Sequence, residues 1–158
     1  MPQCNLALEG TGKCLQLDWD PAGETLAVLQ TGSPVVKLWD ANQGLESSLD
    51  TMMKDLTYLR WAGNKPLLAI GTAKGNLLLY DKRTLKKQSI MGKHSRRIVG
   101  GAWNAASELA LASDDKQVRT RAVPLSPYGP RALSPALASL LSPHPPSALT
   151  GDDLERGG

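Results

Sequence analysis

The chain has 158 residues, 41% hydrophobic and 21% charged, with a net charge of +3, values ordinary for a soluble globular protein. No run approaches the ~18 apolar residues of a membrane span, and the first twenty residues lack the basic and apolar blocks of a signal peptide. Cys4 and Cys14 form no zinc spacing with His94 and His144, so they read as free thiols of a soluble, intracellular chain for which no metal or cofactor is expected.

Met1 to Lys13 contains NLALEG, which fits the outer strand of a preceding repeat or a ragged end. Leu15, Leu17 and Trp19 then alternate with Gln16 and Asp18, the period of a strand with one face more deeply buried. Asp20-Pro21-Ala22-Gly23 turns the chain, because Pro pre-sets φ and Gly tolerates a positive one. Leu26–Leu29 and Val35–Trp39 are the next strands, and Leu45–Leu49 is an outer strand weakened by Glu46, Ser47 and Ser48. A second round places strands near Thr57–Trp61, Leu67–Gly71, Asn76–Tyr80 and Lys86–Met91. A third begins at Gly92-Lys93-His94, with strands near Ile98–Trp103, Glu108–Ala112 and Gln117–Val123. Trp19, Trp61 and Trp103 fall in one phase, each 42 residues after the last.

Short strands recurring at this period, the first round ending in Trp39-Asp40, are the signature of a β-propeller blade. The fold expected is all-β: about three blades of a partial propeller, built of four-stranded antiparallel sheets. Residues 1–13 are a lead-in, 14–50 blade one, 51–91 blade two, 92–123 a partial blade three and 124–158 a tail. Propellers close with about 4–8 blades, so this chain reads as a fragment of a longer propeller or a truncated product. Its first and last blades should each leave a lateral face uncovered, which makes it marginal or aggregation-prone alone. Seven of the eleven prolines lie in the last 35 residues, where missing N–H donors exclude a continuous helix or central strand. That tail is expected to be disordered or polyproline-like.

Lys82, Arg83, Lys86, Lys87, Lys93, Arg96 and Arg97 occupy one stretch free of Asp and Glu. Charged side chains protect exposed sheet edges, the plainest role for such a run. Alternatively, it is a partner surface for an acidic protein or anionic lipid. Nucleic acid is disfavoured, since no aromatic is interleaved to stack a base. His94, Ser95 and Asp115 do not make a hydrolase triad. Adjacent His94 and Ser95 would have to bend back on each other, and no nucleophile-elbow motif is present. Gly-rich phosphate loops and paired acid-base groups are absent as well, so no enzyme is expected.

The three-round layout resembles the WD-repeat family. The strings AVLQTGSPVVKLWDAN, AIGTAKGNLLLYD and GKHSRRIVGGAWNA are similar to the N-terminal propeller of the WD-repeat subunits of intraflagellar transport complex A, across about Leu15 to Lys116. That resemblance implies a non-catalytic scaffold for retrograde transport in cilia and flagella, located at the cilium and its base. Its partners would be other subunits of the complex and ciliary cargo. A generic WD-repeat scaffold unconnected with cilia, or a non-functional truncated product, stands as the alternative. The family's blades carry a buried network of His, Ser or Thr, Asp and Trp. Matched by position, its members here are Trp39 and Asp40 in blade one, Thr72, Tyr80 and Asp81 in blade two, and His94, Ser113 and Asp115 in blade three. No blade has the full set, for Lys74 stands at the Asp position of blade two and Arg121 replaces the Trp of blade three.

Overall fold

The computed structural model describes Ala7 and residues 12–123. Most of the NLALEG segment, Cys4, His144 and the Pro-rich stretch from Pro124 onward lie outside the described residues. Eleven strands are present among them: β1 (Cys14–Trp19), β2 (Thr25–Gln30), β3 (Val35–Asp40), β4 (Leu45–Asp50), β5 (Leu56–Trp61), β6 (Leu67–Thr72), β7 (Leu77–Asp81), β8 (Lys86–Ile90), β9 (Ile98–Trp103), β10 (Glu108–Ser113) and β11 (Val118–Ala122). They form three sheets, ordered β1-β2-β3-β4, β5-β6-β7-β8 and β11-β10-β9, and every strand pair is antiparallel. The fold is thus all-β, three blades of a propeller with strands joined by short turns. β4 pairs along the whole of β3 in spite of its polar Glu46-Ser47-Ser48, because the ladder needs only backbone groups and the strand lies on the solvent edge.

Each blade is a sheet with two faces, and the pleat decides which residue serves which face. In blade two, Leu59, Trp61, Leu68, Ile70, Leu78 and Tyr80 pack with Ala27, Leu29, Val36, Leu38 and Leu49 of blade one. The opposite face of blade two, with Tyr58, Ala69, Leu77, Leu79 and Ile90, packs with Ile98, Leu109 and Leu111 of blade three. Blade two is therefore covered on both sides, and every residue of β7 from Leu77 to Tyr80 is buried.

The first strand corrects the sequence reading. Leu15, Leu17 and Trp19 are 44%, 55% and 44% exposed, whereas Leu59 and Trp61, one repeat later than Leu17 and Trp19, are 0% and 3% exposed. The residues are equivalent, but Leu59 and Trp61 face blade one, while Leu17 and Trp19 face the side on which no described blade sits. Trp19 instead meets Trp39 edge to face, with ring centroids 6.1 Å apart at an interplanar angle of 64°. Gln16 and Asp18, the polar half of the alternation, face blade two.

Glycines at the seam between blades two and three let these blades approach. A Cβ on Gly101 would fall 2.7 Å from the Tyr58 hydroxyl and 2.6 Å from the Ala110 carbonyl, so the aromatic ring of blade two reaches the third sheet only over a bare backbone. Gly75 has φ of +79°, and a Cβ there would lie 2.1 Å from the His94 carbonyl.

The unequal burial of equivalent residues gives a direct test by urea denaturation. Leu59→Ala should cost about 2–4 kcal/mol, since it opens a cavity between two packed blades, and Leu17→Ala should cost under about 1 kcal/mol. Equal losses at the two positions would mean that Leu17 is covered.

Candidate functional site

The polar groups of this chain converge on the seams between blades. β5 is the inner edge of its sheet, so its outward N–H groups need partners from outside blade two. Blade one supplies them: Gln16 Oε1 accepts from the Leu59 N–H at 3.0 Å and Asp18 Oδ2 from the Trp61 N–H at 2.8 Å. Between blades two and three, Thr57 Oγ1 donates to the Ile98 carbonyl at 2.7 Å and Trp103 Nε1 to the Arg60 carbonyl at 3.3 Å. Asn64 Nδ2 also donates to the Ala105 carbonyl at 2.7 Å.

The first polar centre is Asp20 with Lys82. Asp20 sits in the first turn of blade one, where Oδ1 accepts from the Glu24 and Thr25 N–H groups at 2.8 and 3.0 Å. Its Oδ2 accepts from Lys82 Nζ, reaching over from blade two, at 2.7 Å. Glu24 stands 3.7 Å from the same ammonium. Burial alone would raise the Asp20 carboxyl, but the Lys82 hydrogen bond and the two backbone N–H groups outweigh it and hold it below its ordinary 3.8. Burial likewise opposes the Lys82 charge, and Asp20, Glu24 and Asp40 overcome it, raising the ammonium above its ordinary 10.5.

The second polar centre is in blade three. His94 is buried, with Nδ1 3.0 Å from Asp115 Oδ2. Asp115 also accepts from the Ser95 N–H at 3.1 Å and the Gln117 N–H at 3.0 Å. Burial works against its charge, yet Ser95, Gln117 and His94 together hold the carboxyl below its ordinary value. Ser113 Oγ donates to the Arg96 carbonyl at 3.1 Å and accepts from the Asp115 N–H at 3.2 Å. Ser95 offers its backbone rather than its hydroxyl to Asp115, and His94 Nε2 is buried with no hydrogen-bond partner among the described residues. His94, Asp115 and Ser113 therefore brace the turn after β10 and the loop before β9.

The remaining positions of the family network are dispersed. Asp40 Oδ1 accepts from the Asn42 and Gln43 N–H groups at 2.8 and 3.0 Å. Asp81 does the same for Arg83 at 2.9 Å and also takes the Thr84 hydroxyl at 2.9 Å. Both carboxylates cap the tight turn before the outer strand. Thr72 Oγ1 accepts from the Asn76 N–H at 3.1 Å. Tyr80 is buried against blade one, while Trp39 is half-buried on the uncovered face.

The cationic run is not one surface. Lys82 is bound to Asp20, and Lys87 Nζ donates to the Asp50 carbonyl at 2.9 Å across the seam. Arg83 and Lys86 are exposed at the end of blade two where Lys82 meets the Asp20 turn of blade one. Lys93, Arg96 and Arg97 lie beyond β8, beside the Gly75 turn, because His94 N–H donates to the Gly75 carbonyl. The length of β8, roughly 15 Å, separates the two groups. Sequence reading missed Gln16, Asp18, Asp20 and Glu24 as partners. The one available signal was that the polar half of the β1 alternation gives way to Tyr58 and Arg60 in β5 and to Gly100 and Ala102 in β9.

Among the described residues no three His, Cys, Asp or Glu side chains gather as metal ligands, and Cys14 is exposed and unpaired. What the arrangement does chemically is join sheets.

The pH dependence of the Asp20–Lys82 tie follows from the two shifts. A lowered carboxyl stabilises the fold above its unfolded value and loses that contribution as pH falls below about 3.8. A raised ammonium stabilises below 10.5 and loses its contribution as pH rises through the folded value. A double-mutant cycle with Asp20→Asn and Lys82→Met should give a coupling of about 1–2 kcal/mol at pH 7 that shrinks as pH falls through the folded carboxyl's value, below 3.8. Absence of coupling at pH 7 would show that the charges are not what joins these groups.

Residues 3–123 match the family described as WDR19 first beta-propeller. Over 108 residues the chain is 44% identical to WD repeat-containing protein 19 of Homo sapiens, covering 68% of this chain and 8% of that protein. It is 33% identical over 113 residues to WD repeat-containing protein dyf-2 of Caenorhabditis elegans, covering 69% of this chain and 8% of the relative. The chain thus spans about 8% of the length of these curated relatives. Among solved structures, a chain from the crystal structure of the mitotic checkpoint complex is similar over 76% of this chain and 41% of its own length, with a TM-score of 0.57. At 19% identity that is a likeness of fold. With its three stacked blades and a family match that runs from residue 3 to the end of the third sheet, the chain belongs to the WDR19 first β-propeller family.

Proposed function

We propose that this chain is a non-catalytic WD-repeat scaffold segment of the intraflagellar transport complex A type, contributing blades to a surface that binds other subunits of that complex and ciliary cargo. The observation that carries the reading is the match of residues 3–123 to the first propeller of WDR19. The geometry supports it. His94 is buried on Asp115 with Ser95 turned away, and Asp20 is consumed by Lys82 and two backbone amides, so the groups able to do chemistry are spent on holding blades. The network positions Asp40, Thr72, Tyr80, Asp81, His94, Ser113 and Asp115 serve turns and seams in this reading, and Trp39 packs on Trp19 within blade one. Arg83 and Lys86 at one end of blade two, and Arg96 and Arg97 in the loop that enters blade three, are exposed cations suited to acidic protein surfaces. The site of action is the cilium or flagellum and its base.

Tagging the gene product in a flagellate or ciliated cell tests this. Enrichment at the ciliary base, with transport-complex subunits co-purifying, is expected. Diffuse distribution with no such subunits in the pull-down would leave a WD-repeat scaffold unconnected with cilia.

A further inference from the structure

Blades one and two each have four strands, but among the described residues the third sheet stops at β11, which pairs with β10 alone. In the first two blades the outer strand begins five residues after the third strand ends, from Asp40 to Leu45 and from Asp81 to Lys86. The same spacing after Ala122 falls on Pro127-Tyr128-Gly129-Pro130-Arg131, and its two prolines lack the N–H that a ladder requires. The chain's own sequence is thus a poor fourth strand at the one position where a fourth strand is called for.

The charge of the edge is specific. Arg119 and Arg121 stand opposite Leu111 and Leu109 in the β10–β11 register, and both leucines are buried against blade two. The two arginines therefore lie on the face turned to blade two. Across that seam, β8 turns Lys86, Gln88 and Ile90 toward blade three, since they pair with Asp81, Leu79 and Leu77, of which Leu79 and Leu77 pack there. β11 carries no carboxylate. The seam between blades two and three is thus flanked by Lys86 of β8 and by Arg119 and Arg121 of β11, with Ile90 buried beside it.

Blade one shows what such an edge accepts. Arg119 is equivalent in repeat phase to Lys37 of β3, and Lys37 is ion-paired with Glu46 of the outer strand β4. The residue in this chain at the Glu46 phase of blade three is Tyr128, which has no charge to give. At present Arg119 is held by its neighbour Gln117, with Nε 3.0 Å from Oε1.

We propose that the outer edge of β11 is a strand-addition site for an acidic extended segment of a partner protein, which pairs with β11 as β4 pairs with β3 and sets a carboxylate against Arg119. Main-chain bonds supply affinity and alternate side chains supply selectivity, as in other strand-addition complexes. The partner segment carries a carboxylate at the Glu46 phase. It contains no proline. This inference rests on the blade architecture and is independent of any role in cilia.

The chain's own strands provide the probes. Fluorescence anisotropy with the full 158-residue protein compares a labelled peptide of residues 44–51, GLESSLDT, with one of residues 85–91, LKKQSIM, which places Lys87 at the Glu46 phase. The acidic peptide is expected to bind about ten-fold tighter at low salt, and alternate N-methylation should abolish its binding. Arg119→Glu, at an exposed position, should reverse the order of the two peptides while far-UV circular dichroism stays unchanged. Equal affinities, binding indifferent to N-methylation, or no saturable binding would overturn the proposal. So would concentration-dependent self-association without peptide binding, which would assign the edge to a second copy of this chain.

Discussion

A β-sheet with two apolar faces is stable in water only when something covers both of them, and that constraint governs this chain. Blade two meets it, with Leu59 and Trp61 sealed against blade one and Tyr58 and Leu77 against blade three. Stacked-repeat stability is a sum over such neighbours, so among the described residues the middle sheet gains from two interfaces and the flanking sheets from one each. The polar ties follow the same logic. Gln16 and Asp18 satisfy amides that an edge strand would otherwise leave open, and Lys82 crosses the seam to a carboxylate already fixed by two N–H groups. Each tie combines burial with a satisfied donor, which is why these seams carry charge where an isolated surface pair would contribute little.

Much of this was legible in the sequence, because the repeat phase fixes strand positions and period-2 alternation fixes the pleat. The three tryptophans mark equivalent places, and the family resemblance implied a network holding His94, Ser113 and Asp115. The pleat does not say what lies beyond a face. Leu17 and Leu59 are the same residue at the same phase, yet one is more than half exposed and the other fully buried, since only the second has a described neighbour. The cationic run was equally misleading as a unit. Seven charges clustered in sequence divide between one end of blade two and the loop that enters blade three, and the first of them, Lys82, is spoken for by Asp20, 62 residues earlier in the chain. Contacts of that separation have no local signature.

For function, the same packing logic shifts attention from a pocket to edges and faces. In the scaffold role proposed, the chain acts by the shape it presents, and its selectivity resides in whichever strand edge and charges remain uncovered. The departure from the repeat after Ala122 matters most here, because among the described residues the third sheet has three strands beside two sheets of four, with arginines on the last of them.

The central claim is that neighbouring blades, rather than each sheet alone, hold this fold together. Residue-resolved amide hydrogen exchange at Leu59 and Trp61 tests it most directly, because both sit on an edge strand and donate to side chains of blade one at 3.0 and 2.8 Å. Slow exchange at both amides, lost together in Asp18→Ala and Gln16→Ala variants, is the predicted result. Exchange at the rate of open backbone in the unaltered protein would contradict the account.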